Sequence, residues 1–585
     1  MLKKDKEINY DWLLKTRTGD KWNKLGVQRR AGVCVPLFSV YSDKSIGTGE
    51  IPDIRLLIDW CRLAGLSVLQ LLPLNELGYD FSPYNSISTF ALEPMYLSLS
   101  KLVDVELKPF SKAISDLSAK YSPGGDRINP EVKNAKIEML RKIFYDASRN
   151  SLSFLEFKET NMHWLRYYAL FRVIADINKG KEWMEWDVMD KYLSPSRIQK
   201  ITETRSDELE FCYWVQWQLF EQLRDVSAYA KKKGVMIMGD LPFLVSRNSA
   251  DVWAYKNYFK LHLSSGAPPD MYFAKGQKWG MPPYDWGNIR ADHYSYIRSR
   301  LKYAENFYDM YRIDHFVGLF RLWTVNADAT LNDESVDGQF DPPHEQLWSE
   351  HGREIISIMN ECTSMLPCAE DLGTVPDCSD PALREFGITG MNVQRWEKKW
   401  AGFSTFLPPE DYRENSNAVI STHDSSSFPD WFEREAGTVD KAAFTAICEK
   451  KGLTAARIDK LTAELFEILN DKENMLRWKP EISNVYVLLE KFNADYSEIQ
   501  DVINLYLSSY NERKVFLKYL GHNSNTLSTS PSLVRKILLK YLTQIQYSAF
   551  NFLWSIYFLT RKFLTSTNIP GSIHPEQSAE ITGHQ

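Results

Sequence analysis

The chain reads as an α/β protein, an eight-stranded β/α barrel enlarged by helical insertions. Three observations carry that reading. Eight short apolar runs, unevenly spaced, lack polar alternation, as parallel strands buried on both faces do. A helical apolar pattern separates the first two runs, so strand–helix–strand is the local unit. The 585 residues are 44% hydrophobic, ample for a large core, and a β/α barrel accepts insertions while remaining one unit. A doubly wound open sheet fits the same pattern and stays open at this level.

The runs are Gly32–Leu37, Ser67–Pro73, Val235–Asp240, Met310–Asp314, Pro367–Glu370, Ile388–Val393, Ala418–Thr422 and, more weakly, Phe552–Leu559. Ile54–Ala64 supplies the first intervening helix. The barrel would then occupy 25–73 and 234–570. Residues 74–233 break its rhythm. They begin in an aromatic-rich loop and continue in helical segments such as Glu131–Ala147 and Met162–Ile177, which predicts an inserted, mainly helical subdomain. After Asp424 come the amphipathic patterns Lys441–Lys451, Ala455–Leu469 and Glu498–Tyr519, with 440–495 read as a second helical insertion. Residues 571–585 are a polar tail. The whole chain, 1–585, reads as a single catalytic unit.

Composition narrows the classes of partner. A formal net charge of −6 and a pI near 6.0 argue against a nucleic-acid ligand, which needs a basic face. The seven cysteines form no C-x-x-C pair, which fits a reducing compartment and gives no zinc signature. The charged start Met1-Leu2-Lys3-Lys4-Asp5-Lys6 lacks the apolar core of a signal peptide. The most apolar stretch, Tyr547–Leu559, is shorter than the roughly 20 residues that cross a bilayer. The expectation is a cytoplasmic protein with no membrane partner. There is no P-loop, no GxGxxG after a strand, no H-E-x-x-H and no EF-hand loop, so no cofactor and no metal is expected.

Three acids close successive strand-like runs: Asp314 in Tyr311-Arg312-Ile313-Asp314-His315, Glu370 in Ala369-Glu370-Asp371-Leu372-Gly373, and Asp424 in Thr422-His423-Asp424. A barrel gathers strand C-termini on one face, so the three would converge there. A carboxylate and a carboxylic acid flanking one bond are what glycosidic cleavage needs, and a separation of about 5–5.5 Å gives retention through a covalent intermediate. Arg312 and Asp314 stand at i and i+2, on one face of a strand; a cation there suits an anionic nucleophile. Glu370 must stay protonated to serve as the acid, which takes apolar or like-charged surroundings. Asp424 could supply the like charge and grip hydroxyls, while His315 and His423 could donate hydrogen bonds to a sugar. Each piece also has a structural reading: an ion pair for Arg312–Asp314, a helix start at Glu370, an N-cap at Asp424.

A further stretch carries aromatic residues on a Gly- and Pro-rich segment: Gly266-Ala267-Pro268-Pro269-Asp270-Met271-Tyr272-Phe273, then Gly276-Gln277-Lys278-Trp279-Gly280. Gly78–Ser86, with Tyr84, has the same character. Rings on surface loops suit stacking on the apolar faces of sugars.

On these motifs the chain resembles the 4-α-glucanotransferases (amylomaltases), glycoside hydrolase family 77, kin to the α-amylases. Leu71-Leu72-Pro73-Leu74, Ser82-Pro83-Tyr84-Asn85-Ser86 and Gly239-Asp240-Leu241-Pro242-Phe243 add to the match, in the family's order. The likeness is strongest over 31–100 and 234–432. It implies an α-amylase-type barrel without a C-terminal β-sandwich. It implies Asp314 as nucleophile, Glu370 as general acid/base and Asp424 as transition-state stabiliser. Arg312, His315, His423 and Asp240 would contact the sugar; Gln277 and Trp279 would belong to a loop arching over the glucan, and Tyr84 would line its path. Maltooligosaccharides and α-1,4-glucans would be the partners, exchanged by a retaining double displacement; an amylase-like hydrolase and a silent glycan-binding scaffold are the rival readings. The chain departs from the family at Ser425-Ser426-Ser427, in the last strand Trp554–Leu559, and after Asn568-Ile569-Pro570-Gly571.

Overall fold

The computed structural model describes residues 9–519 except 79, 125–126, 148–150, 270–275, 330–337, 400–404, 409–410, 428–429, 470–473 and 511. The expected eighth strand, Phe552–Leu559, and the tail 571–585 lie outside the described residues, as do Tyr79 and the Asp270–Phe273 part of the aromatic loop.

Among the described residues, seven parallel strands form the centre: Gly32–Val35, Val68–Leu71, Met236–Leu241, Met310–Ile313, Leu366–Ala369, Gly390–Val393 and Ser416–Val419. Each is hydrogen-bonded to the next in sequence, the fifth and sixth through a single parallel bridge, Cys368 to Thr389. A doubly wound sheet reverses its strand order at a switch point. This succession does not reverse, so the barrel order is the one adopted. The strands start or stop within a few residues of the apolar runs. The first ends before Pro36, which cannot donate to a ladder.

The helices pack outside. Ile54–Leu63 buries Ile54, Leu57, Ile58, Trp60 and Cys61 on one stripe. The long helix Ser206–Lys233 ends in three lysines, favourable at the negative end of its dipole, and then Gly234 at φ 70°, which turns the chain into the third strand. Between the second and third strands lie Glu131–Asp146, Leu152–Ile177 and further helices. Beyond the seventh strand a satellite has its own core of Phe444, Leu461, Leu476 and Trp478 among others. It includes an antiparallel sheet of Thr438–Asp440, Met475–Trp478 and Phe466–Ile468. The helical pattern Ala455–Leu469 therefore stops at Leu465, and Glu498–Tyr519 divides into Gln500–Ser509 and Glu512–Tyr519 at the extended Tyr510.

One end of the strands is filled. Leu13 and Trp22, from the N-terminal segment, pack with Val68, Met238, Met310 and Leu366, which belong to the beginnings or middles of their strands. Trp22 Nε1 anchors the segment by donating to Gly387 O at 2.8 Å. The opposite end, where the strands finish, holds the acids.

Candidate active site

Parallel register brings distant residues together at the strand ends. Asp240 is paired with Arg312, and Ile313 with Ala369, across three consecutive strands. Asp314 and Glu370 are each the next residue, so they leave the sheet side by side; Glu370 N–H donates to Ile313 O at 3.0 Å.

Arg312 is the hub. Its guanidinium donates to Asp240 Oδ1 at 2.8 Å and Oδ2 at 3.1 Å, and to Asp314 Oδ1 at 2.9 Å. Its other terminal nitrogen stands 3.9 Å from Glu370 Oε2. The Asp240 side chain has no exposure and that of Arg312 5%, against 24% for Asp314 and 14% for Glu370, so the last two face the open end. Burial raises the Asp240 carboxyl, with Arg312 opposing and Asp314 adding to the rise.

Glu370 is held by its surroundings as an acid. Burial pushes its carboxyl up to about 7; Arg312 opposes, and the negative charge of Asp314 adds to the rise. Asp371 also adds, so the like charges come from Asp314 and Asp371 where the sequence suggested Asp424. The carboxylate oxygens accept from two backbone N–H groups, His315 at 2.9 Å and Leu372 at 3.3 Å. The His315 donor is aimed by a left-handed backbone, φ 46° and ψ 52°, a region uncommon for non-glycine residues and found at functional sites. Residues 370–373 are irregular, so the helix-start reading of that motif does not apply.

Around this hub stand rings. The Tyr84 hydroxyl donates to Asp240 Oδ2 at 2.7 Å. The Tyr84 ring lies parallel to His423, centroids 5.1 Å apart and planes 9° from each other. Trp279 meets His315 edge-on at 4.9 Å. Burial pushes the His315 imidazole down to about 4, so it is neutral near pH 7. Gln277 Oε1 accepts from Trp279 Nε1 at 2.9 Å. Asp424 stands apart: its side chain is 73% exposed, with His423 Nε2 at 3.0 Å from Oδ2. No cluster of three or more His, Cys, Asp or Glu among the described residues could hold a metal ion.

Two features were not anticipated. The Gln277–Trp279 segment belongs to an antiparallel sheet of Leu263–Ala267, Gln277–Lys278, Leu322–Asn326 and Gly338–Asp341. Trp279 N–H donates to Ser265 O at 2.8 Å, so the ring is carried on a ladder. Gly266 permits the pairing, since a Cβ there would lie 1.9 Å from Gln277 O. The second feature is Asp371. It accepts from Met391 N–H at 2.7 Å and from Arg413 at 2.6 Å, tying the backbone after Glu370 to the sixth strand. Asp371 was visible within its motif; Arg413 lies in an ordinary polar stretch with no local signal.

Comparison with known proteins bears on the family and the fold. A family model described as 4-alpha-glucanotransferase, glycoside hydrolase family 77, matches residues 35–480. A 4-alpha-glucanotransferase of Chlamydia pneumoniae is 38% identical over 416 residues, covering 70% of this chain and 77% of that protein. One from Aquifex aeolicus is 30% identical over 418 residues, covering 69% and 81%. Among solved structures, the amylomaltase of Streptococcus agalactiae in complex with acarbose superposes with a TM-score of 0.59 at 21% identity, over 82% of this chain and 99% of that one. That likeness is one of fold, the α-amylase-type β/α barrel. The chain belongs to the 4-alpha-glucanotransferase family, glycoside hydrolase family 77.

Proposed function

We propose that this chain is a 4-α-glucanotransferase, which cleaves α-1,4-glucosidic bonds in maltodextrins and re-forms them on a second chain. The observation that carries the reading is the shared guanidinium. Arg312 binds Asp314 and reaches Glu370, while burial keeps Glu370 protonated up to about pH 7. Two carboxyl groups in different protonation states beside one linkage are the requirement for glycosidic cleavage.

Glu370 donates its proton to the glycosidic oxygen while Asp314 attacks the anomeric carbon. The reducing-end fragment leaves, and the donor glucan is held on Asp314 through a β-ester. The 4-hydroxyl of a second glucan then gives its proton to Glu370 and attacks the anomeric carbon, restoring an α-1,4 bond. Two inversions give net retention. The neutral His315 binds sugar hydroxyls and Tyr84 lines the glucan's path, while Asp240, buried beneath the open end and not on the sugar as the resemblance implied, holds Arg312 and Tyr84 in place. Asp424 grips the glucose unit from the open side, where the sugar covers it. An acceptor must be bound and oriented well enough to outcompete water; Trp279, edge-on to His315, provides a ring for it to rest on. The acarbose bound to the streptococcal amylomaltase and the names of the sequence relatives support an α-glucan substrate. The seven free cysteines support a reducing, cytoplasmic location.

Incubation with maltotriose tests the reading. Glucose together with longer oligomers, at a constant number of reducing ends, is the expected result. A steady rise in reducing ends would mean hydrolysis, and binding without turnover would mean a scaffold; either outcome overturns the proposal.

A further inference from the structure

The segment after the second strand folds back on itself. Asn75 pairs with Leu92 and Leu77 with Ser86 in antiparallel bridges. Glu76 N–H donates to Ala91 O at 2.8 Å and Ile87 N–H to Glu76 O at 2.9 Å. Near its tip is Tyr84, the residue that donates to Asp240 and lies on His423.

Its base encloses two glutamates, Glu76 and Glu93, whose side chains have no solvent exposure. The cations that meet them come from helices elsewhere. Lys133, on Glu131–Asp146, stands 3.2 Å from Glu76 Oε1 and donates to Glu93 Oε2 at 2.9 Å. It also donates to Leu77 O at 3.4 Å. Arg172, on Leu152–Ile177, stands 3.3 Å from Glu76 Oε1, and Tyr168 of the same helix donates to Oε2. Glu93 in turn accepts from Leu77 N–H at 2.9 Å. Desolvation works against charge on Glu76, and Arg172 and Lys133 outweigh it, holding its carboxyl below the ordinary range. Two buried carboxylates thus face two cations at the root of the segment that carries Tyr84.

A buried ion cluster is weak evidence for stability, because apolar replacements of similar shape are often as stable. What such a cluster sets is geometry. Lys133 contacts both partners of the fold-back, Leu77 and Glu93, and so fixes where the two limbs cross. We propose that Lys133, Arg172, Glu76 and Glu93 are positioning residues for the transfer reaction. They hold Tyr84 against Asp240 and His423, so that helices between the second and third strands determine the shape of the sugar site. This inference rests on the functional reading above, in which Tyr84 lines that site.

The test is a pair of double-mutant cycles. The charge-balanced variant Lys133→Met/Glu93→Gln and the milder Tyr168→Phe are each made with Tyr84 intact and with Tyr84→Ala. Maltotriose disproportionation gives kcat and KM, and urea unfolding gives stability. With Tyr84 intact, kcat/KM is expected to fall about tenfold for the charge-balanced variant and about threefold for Tyr168→Phe. With Tyr84→Ala the same changes are expected to cost less than about twofold, since the residue they position is gone. Equal fold losses in the two backgrounds overturn the inference, because they would mean general destabilisation. If the charge-balanced variant does not fold, the Tyr168→Phe cycle decides alone. A wild-type chain that leaves maltotriose unchanged sinks the functional reading itself, and equal losses in an active enzyme sink this inference only.

Discussion

Glu370 makes stability depend on pH in a direction opposite to that of most carboxylates. Its carboxyl is moved from 4.5 to about 7, chiefly by burial. At about 1.36 kcal/mol per pH unit, that displacement is worth about 3 kcal/mol. The sign follows from proton counting. Between pH 4.5 and about 7 the folded chain keeps a proton that the unfolded chain has lost, so stability falls as pH rises. The contribution is fully present below 4.5 and is gone once the pH has passed through about 7. Glu370→Gln cannot titrate and preserves the shape of the protonated acid. Urea unfolding of both proteins from pH 4.5 to 8.5 provides the assay. Relative to the variant, the wild type is expected to lose about 3 kcal/mol across that window. In the same range its kcat/KM for maltotriose should decline as pH rises through about 7, because the general acid is being lost. Parallel stability curves for the two proteins would refute the assignment of a buried, protonated Glu370.

Two other perturbations probe the same cluster. Arg312→Met leaves Asp240 fully buried without its cation and should cost about 3–5 kcal/mol together with transfer activity. Adding Asp240→Asn should recover most of the stability and none of the activity, as read by urea midpoint and product profile. Gly318→Ala places a Cβ 2.6 Å from His315 Cδ2 and 3.1 Å from Phe243 Cε1, so the imidazole must shift. A loss of about 1–3 kcal/mol is expected from the overpacking, accompanied by a drop in kcat/KM; unaltered kinetics would remove His315 from the sugar site.

What could be read before folding, and what could not, divides along physical lines. The barrel strands were legible because residues buried on both faces leave continuous apolar runs. Arg312 and Asp314 were legible as a pair because two-residue spacing puts both on one face. The antiparallel sheet under Trp279 was hidden, since its strands are short, Gln277–Lys278 being only a pair of residues, and its register depends on a close approach at Gly266. Asp371 with Arg413 and Glu76 with Lys133 and Arg172 were hidden for another reason. Each of these contacts joins residues far apart along the chain, and the cation's own neighbourhood is unremarkable.

Sequence alone therefore determined the inventory: which acids end strands, that Arg312 accompanies Asp314, and that the core is a run of parallel strands. Tertiary structure decided their states. Only the register between the third, fourth and fifth strands puts Asp240, Asp314 and Glu370 around one guanidinium. Only burial within that cluster raises the Glu370 carboxyl to about 7. Protonation depends on the field and solvation created by residues that meet in space, and a linear order of side chains does not contain those distances.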